Sequence, residues 1–172
     1  MPSHVRISQR NQGNAIWLQQ LRAGGHHAFA PMHWWSKRIE LTSLTLPAAT
    51  TGAFNLNTLF PNDAFPVNCV RGTPLLYVET PGSGGAITAL TAALGDAGDP
   101  NGLMTSQDVF TGVSGWVIDT TGAEFEDAPE AAFVPQLTLD STDGNLDAIT
   151  AGVLHAVIGY RLFPAVAQGA GS

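Results

Sequence analysis

A Gly-rich acidic loop at residues 96–108 has the residue types that bind hard cations. Asp99, Asn101 and Asp108 supply side-chain oxygens at a spacing close to that of a calcium-binding loop. The first ligand position of that pattern would be Ala97, however, and the last would be a short Asp in place of Glu. We interpret the stretch as a solvated loop, with a calcium site as the alternative.

A second acidic stretch, nearer the C-terminus, also has residue types that could bind a cation. Asp143, Asn145 and Asp147 follow one another at a spacing of two, but Ala148 stands where a cation-binding loop would have Gly. Asp and Asn also accept hydrogen bonds from their own backbone in turns. A self-capped turn is therefore our interpretation, again with a cation loop as the alternative.

The histidines offer nitrogen ligands for zinc or nickel. His26, His27 and His33 lie in a Gly-flanked aromatic stretch, with no Cys or acid near them to complete a zinc site. His155 alternates within an apolar run, which is typical of a histidine in a core or an interface. We therefore predict no metal and no other cofactor.

Catalytic motifs are weak throughout the sequence. Ser83 lies in GSGG, which is not the G-x-S-x-G of a nucleophile elbow, and no Gly-rich stretch leads into a phosphate-binding motif. Glu124 and Glu126 belong to an acidic run that we interpret as a solvated face. Because no pattern combines a nucleophile, a base and an oxyanion donor, we predict that the protein is not an enzyme.

The charge of this chain of 172 residues is unevenly distributed. Residues 1–38 carry five Lys and Arg and no acid, and the rest carries two Arg against fourteen acids, so +5 and −12 give the net charge of −7. The basic residues are dispersed, which argues against nucleic acid as a partner. We expect no membrane segment, since no apolar run approaches about 18 residues and the start of the chain lacks the features of a secretory signal. The lone Cys69 excludes a disulfide scaffold and fits synthesis inside the cell.

Residues 1–36 form a predicted N-terminal arm that docks on a partner. Asn14–Ala23 can form a short helix, which would be marginal alone and needs a surface to cover its apolar side. Trp34 and Trp35 could stack on a sugar ring, although packing is the simpler interpretation. The predicted partner-binding residues, at the start of the chain, are Arg6, Arg10, Trp17, Arg22, Phe29, Trp34, Trp35, Lys37 and Arg38.

Residues 37–164 have the pattern of an all-β domain, followed by a flexible tail at residues 165–172. About eight or nine short apolar stretches alternate with Gly- and Pro-rich turns, which favours an antiparallel β-sandwich that is jelly-roll-like. We expect strands at 37–46, 53–59, 66–70, 75–80, 86–94, 115–120, 136–140 and 153–163, a loop at 81–85, and a helix start at 105–110.

Three stretches resemble capsid decoration (cement) proteins of tailed bacteriophages and related small virion β-sandwiches. They are LTLPAATTGAFNLNTL at 44–59, ALGDAGDPNGLMTSQDVF at 93–110 and NLDAITAGVLHAVIGYRL at 145–162. The resemblance implies a homotrimer on the capsid surface that bridges neighbouring major capsid protein subunits. It also implies synthesis in the cytoplasm of a bacterial host. It does not extend to residues 1–38, so the docking role of the arm is our own inference.

We therefore expect a virion structural protein that decorates and stabilises a phage capsid through contacts with the major capsid protein and with its own copies. A head–tail protein or a tail-surface, fibre-like protein is the first alternative. A carbohydrate-binding β-sandwich that uses Trp34 and Trp35 is the second.

Overall fold

The computed structural model describes residues 32–119 and 133–162, which form eight strands and very little helix. Within these residues no helix is both long enough and apolar enough to span a lipid bilayer. A single helical turn, α1, covers Leu56–Leu59, and 3₁₀ turns cover Leu41–Ser43, Pro61–Asp63 and Leu146–Ala148. The strands are β1 (Met32–Glu40), β2 (Thr51–Asn55), β3 (Cys69–Gly84), β4 (Ala89–Gly95), β5 (Met104–Asp108), β6 (Gly115–Val117), β7 (Gln136–Thr142) and β8 (Ile149–Leu162).

The strands form two antiparallel sheets of four. The front sheet has the order β1-β8-β3-β6, and the back sheet has the order β2-β7-β4-β5. Among the described strands, only β4 and β5 follow one another within the same sheet; every other pair of successive strands is divided between the two sheets. The antiparallel all-β sandwich expected from the sequence is confirmed.

Side-chain alternation explains why these segments form strands with one buried face. In β8, Leu154, Ala156 and Ile158 are fully buried, while the residues between them point away from the core. In β1, Trp35 and Ile39 are buried in the same alternating way. The period of two places one set of side chains between the sheets and leaves the other set on the outer face of the front sheet.

An aromatic cluster covers the end of the sandwich at which β1 begins. Phe65, only 2% exposed, comes from the loop before β3. Its ring lies 5.6 Å from Trp35, 5.4 Å from Phe133 and 5.6 Å from Tyr160, each in an edge-to-face arrangement. Such ring pairs add to the stabilisation from burial alone, so Phe65 joins the loop to both ends of the chain's β-structure.

Several predicted element boundaries are wrong. The predicted strands 66–70 and 75–80 and the loop 81–85 are instead one continuous strand, β3, which follows β8 through several bulges. The helix start expected at 105–110 is strand β5, and the second half of the strand expected at 53–59 is α1. Asn55 caps α1, since its side chain accepts a hydrogen bond from the backbone amide of Thr58.

The front sheet also includes residues from the predicted arm. β1 begins at Met32, five residues before the predicted start of the body at residue 37. Residues 1–31, the predicted helix Asn14–Ala23 and the tail 165–172 lie outside the described residues. The division into arm, body and tail stays a prediction, with β1 as a fixed element on the body side.

We expect Phe65→Ala to lower the free energy of unfolding by about 3–5 kcal/mol, because it removes a buried ring from the aromatic cluster. Denaturant unfolding followed by circular dichroism measures the change. Val67→Ala, in the same loop but 57% exposed, is the matched control and should change stability by no more than about 0.5 kcal/mol. Equal effects of the two substitutions would contradict the role given to Phe65.

Candidate docking surface

Four outward side chains form a row across the whole front sheet. The strand register places Arg38 opposite His155, His155 opposite Tyr77, and Tyr77 opposite Trp116. Directly opposed residues on neighbouring strands have their Cβ atoms about 5 Å apart and interact. The row therefore joins residues that are far apart in the sequence into one continuous surface.

A cluster of charged groups occupies the part of this surface on β1, β8 and β3. The Arg38 guanidinium donates two hydrogen bonds to Glu79, with Nε 2.9 Å from Oε2 and Nη2 3.0 Å from Oε1. The Nε2 atom of His155 lies 2.6 Å from the same Oε2 atom. The fork geometry fixes the orientation of the carboxylate, so we call Arg38, Glu79 and His155 the ion cluster.

The ion cluster favours the charged form of its carboxylate. The hydrogen bond from Arg38, followed by the contact with His155, lowers the pKa of Glu79 to about 2. The same pairing with Glu79 raises the pKa of Arg38 above its ordinary value. Glu79 is thus ionised over the whole neutral and mildly acidic range, and its charge is balanced locally.

Apolar side chains occupy the other part of the surface, on β3 and β6. The Tyr77 and Trp116 rings lie 5.1 Å apart at a tilt of 55°, and Trp116 is 59% exposed. Leu75 precedes Tyr77 by two residues, and Ile118, 57% exposed, follows Trp116 by two, so alternation places them on the same face. We call Leu75, Tyr77, Trp116 and Ile118 the apolar strip.

The outer face of the back sheet has a different character. Its central row pairs Thr51 with Asp140, Asp140 with Thr91, and Thr91 with Asp108. None of the four back-sheet strands contains Lys or Arg, and their outward residues are small or polar. Since interface cores are enriched in Tyr, Trp and Arg, the front face has the composition of a docking surface and the back face does not.

The structure describes four of the nine predicted partner-binding residues, two on the outer face of β1 and two that face the interior. Arg6, Arg10, Trp17, Arg22 and Phe29 lie outside the described residues, so their role stays a prediction. Trp34 is 52% exposed on the outer face of β1, near Gly159, and Arg38 belongs to the ion cluster.

The remaining two members of that set face the interior. Trp35 is 5% exposed, and its indole nitrogen donates a hydrogen bond of 2.9 Å to the carbonyl of Asp63. The buried ammonium of Lys37 forms an ion pair with the Asp63 carboxylate and lies over the rings of Trp35 and Phe60. These two side chains offer little surface to a partner. Trp34 and Trp35 also cannot form one sugar-stacking platform, because adjacent strand residues point to opposite faces.

The acidic loops use their carboxylates within the fold. Asp96 accepts hydrogen bonds from the backbone amides of Gly98 and Asp99, at 2.7 and 2.8 Å, and so organises the loop between β4 and β5. Asp143, with a positive φ of 65°, accepts a hydrogen bond from the Thr88 hydroxyl. In the parts of the chain from 32 to 119 and from 133 to 162, no three His, Cys, Asp or Glu side chains converge as a metal site would require.

Sequence reasoning missed Tyr77, Glu79 and Trp116 as surface residues. Tyr77 and Glu79 alternate in a strand pattern, which indicates that they share a face but not which strand lies beside them. The interpretation of His155 as a core or an interface histidine gave a partial signal, since its ring is partly exposed and contacts both Glu79 and Tyr77.

Comparison with solved structures places chains from two phage capsids among those similar to this fold. A chain of the cyanophage Pam1 capsid asymmetric unit matches with a TM-score of 0.53 and 16% identity, over 80% of this chain and 89% of that one. A chain of the capsid of Ralstonia phage GP4 matches with a TM-score of 0.47 and 20% identity, over 77% and 86%. No protein-family model matches the sequence, and no curated protein does either. The Pam1 likeness shows a shared fold; the GP4 likeness is too distant to add to it.

We expect the contribution of Glu79 to stability to disappear in acid. Its folded pKa of about 2 lies below the ordinary value of 4.5, so the contribution is complete above pH 4.5 and is lost as the pH falls to about 2. Urea unfolding across this range should show Glu79→Gln less stable than the wild type near neutrality and the difference shrinking toward pH 2. Asp147→Asn, at an exposed position outside the front sheet, is the control. A pH-independent deficit for Glu79→Gln would contradict the assigned ion cluster.

Proposed function

We propose that the protein is a non-enzymatic structural component of a bacteriophage virion, which decorates the capsid and bridges neighbouring major capsid protein subunits. The observation that carries the proposal is the fold likeness to a chain of the Pam1 capsid, which extends over most of both chains. The three sequence stretches that resemble capsid decoration proteins support the same assignment independently of the fold.

The architecture of the body is suited to such a role. Eight strands divided between two four-stranded sheets are also the composition of double-sheet jelly rolls, which build viral capsid and lectin domains. The front face combines exposed Trp34 and Trp116 with the ion cluster, a composition typical of surfaces that bind other proteins. The back face is small and polar and lacks such anchor residues.

The charged groups of the front face support a binding role over a catalytic one. Glu79 is engaged by both Arg38 and His155, and its lowered pKa makes it a weak base. Proton transfer near neutral pH favours groups whose pKa lies close to the working pH. The ion cluster instead provides a preorganised, locally balanced set of charges at the edge of the apolar strip.

Residues 1–31 supply the second part of the proposed bridge. They carry Arg6, Arg10 and Arg22 with no acid, and their large apolar residues Trp17 and Phe29 need a surface to cover them. Each fully buried large apolar side chain contributes about 1.5–3 kcal/mol before ordering costs. In the proposed function this segment binds a neighbouring subunit of the capsid, and the homotrimer implied by the sequence resemblance would present several such segments at once.

Removal of residues 1–31 tests this proposal, since the truncation stops immediately before β1. We expect the truncated protein to keep the circular dichroism spectrum of a β-sandwich but to bind undecorated capsid shells at least about tenfold more weakly. Co-sedimentation with shells measures the loss. Full-length protein with Arg6, Arg10 and Arg22 changed to Gln is the second variant, and it separates the charge of the segment from its apolar contacts.

Electron microscopy of particles carrying labelled protein distinguishes the proposal from its alternative. Label over the whole shell supports capsid decoration, whereas label at one vertex or along the tail would identify a head–tail or tail-surface protein. Full loading of shells by the truncated protein would contradict the bridging role of residues 1–31 while leaving a capsid location intact.

A further inference from the structure

The apolar strip leaves large side chains exposed on the part of the fold that the structure describes. Trp116 and Ile118 are 59% and 57% exposed, at the edge of the front sheet formed by the short strand β6. Exposed apolar side chains that are contiguous and bordered by polar groups mark interaction sites on soluble proteins. The ion cluster provides such a border on the neighbouring strands, so the strip has the apolar centre and polar rim of an interface.

The charge distribution indicates what kind of surface can approach the strip. The whole chain carries a net charge of −7, so two copies repel one another over most of their surfaces. On the outer face of the front sheet, however, the Glu79 carboxylate is paired with Arg38 and His155, and Glu40 interacts electrostatically with Arg38. The back face presents Asp140 and Asp108 in strands without Lys or Arg. The front face is therefore the one on which a second copy meets the least repulsion.

The strand register makes the strip complementary to itself. Tyr77 and Trp116 form one row. Leu75 lies two residues before Tyr77 and Ile118 two residues after Trp116, so extending the antiparallel register by one pair beyond Val117 places these two in the next row. A two-fold axis that crosses the strands between these rows places Trp116 opposite Ile118 of the second copy. The same axis places Tyr77 opposite Leu75 of that copy, so large apolar groups meet large apolar groups.

The same axis keeps the charged groups out of the contact. Arg38 comes opposite Ser36 of the second copy, because these residues occupy the corresponding rows on β1. No two ion clusters face one another, and each remains at the rim of the contact with its internal hydrogen bonds intact. A contact in which each copy presents the same patch is isologous and closes as a pair.

We propose that the apolar strip binds the apolar strip of a second copy of this chain, face to face around a two-fold axis. The contact is separate from the binding of residues 1–31 to a capsid subunit and does not depend on it. The strip consists of four side chains, of which Leu75 and Tyr77 are only partly exposed, so it is smaller than the roughly 800 Å² per partner of a stable interface and the contact is weak in free solution. On a crowded particle surface, the raised effective concentration of neighbouring copies would strengthen it.

Sedimentation velocity on the full-length protein, from about 10 μM to about 1 mM, tests the proposal. The wild type should show a rising fraction of a species with twice the mass of the form present at the lowest concentration, and Trp116→Ala should weaken this association at least about tenfold. Trp34→Ala is the matched control, because Trp34 is comparably exposed on the same face but lies on β1, outside the strip. It should leave the association unchanged.

Amide chemical shifts of the wild type over the same dilution series locate the contact. Shifts that depend on concentration should be confined to β3, β6 and the residue that follows β6. A mass that does not change with concentration, equal effects of Trp116→Ala and Trp34→Ala, or shifts confined to the back sheet would overturn the inference. Binding of wild-type protein to shells is measured separately, so a failure here does not reflect on the proposed capsid role.

Discussion

The pairing of β8 with both β1 and β3 is the constraint on which the rest of the structure depends. β8 lies between these strands, and its register determines which residues meet on each face. Because side chains alternate with a period of two, a slip by one residue would turn His155 into the core and Ile158 out to solvent. The buried set of Leu154, Ala156 and Ile158 prevents this slip, and so the packing of the core fixes the arrangement of the surface.

The fold class could be predicted because it depends on local patterns, whereas element ends depend on tertiary contacts. Alternating apolar residues and Gly- and Pro-rich turns indicate short antiparallel strands wherever the chain folds. The tertiary contribution is clearest in β3, where three Gly and two Pro suggested interruptions but pairing with β8 holds the segment extended through bulges. At residues 104–108, the helix-like cap signal of Ser106 is overridden because the segment pairs with β4.

The candidate surface was only partly predictable for the same reason. Trp34 and Arg38 were identified from the sequence. The partner of Arg38, however, is Glu79, which lies 41 residues further along the chain on another strand. The pairing of His155 with Glu79 spans 76 positions. No periodicity within a single strand carries information about its neighbours' register. The adjacency of Trp34 and Trp35 illustrates the limit, since the two indoles look alike in sequence while one is exposed and the other is part of the core.

The inward position of Lys37 has a consequence for how β1 behaves at the border of the front sheet. Edge strands are open to extension by foreign strands, and an inward-pointing charge is one of the devices by which natural sheets resist it. Pairing of a foreign strand with β1 would disturb the Lys37 ammonium, which is bound by Asp63 and lies over two aromatic rings. The inward lysine therefore makes β1 a poor template for the addition of further strands.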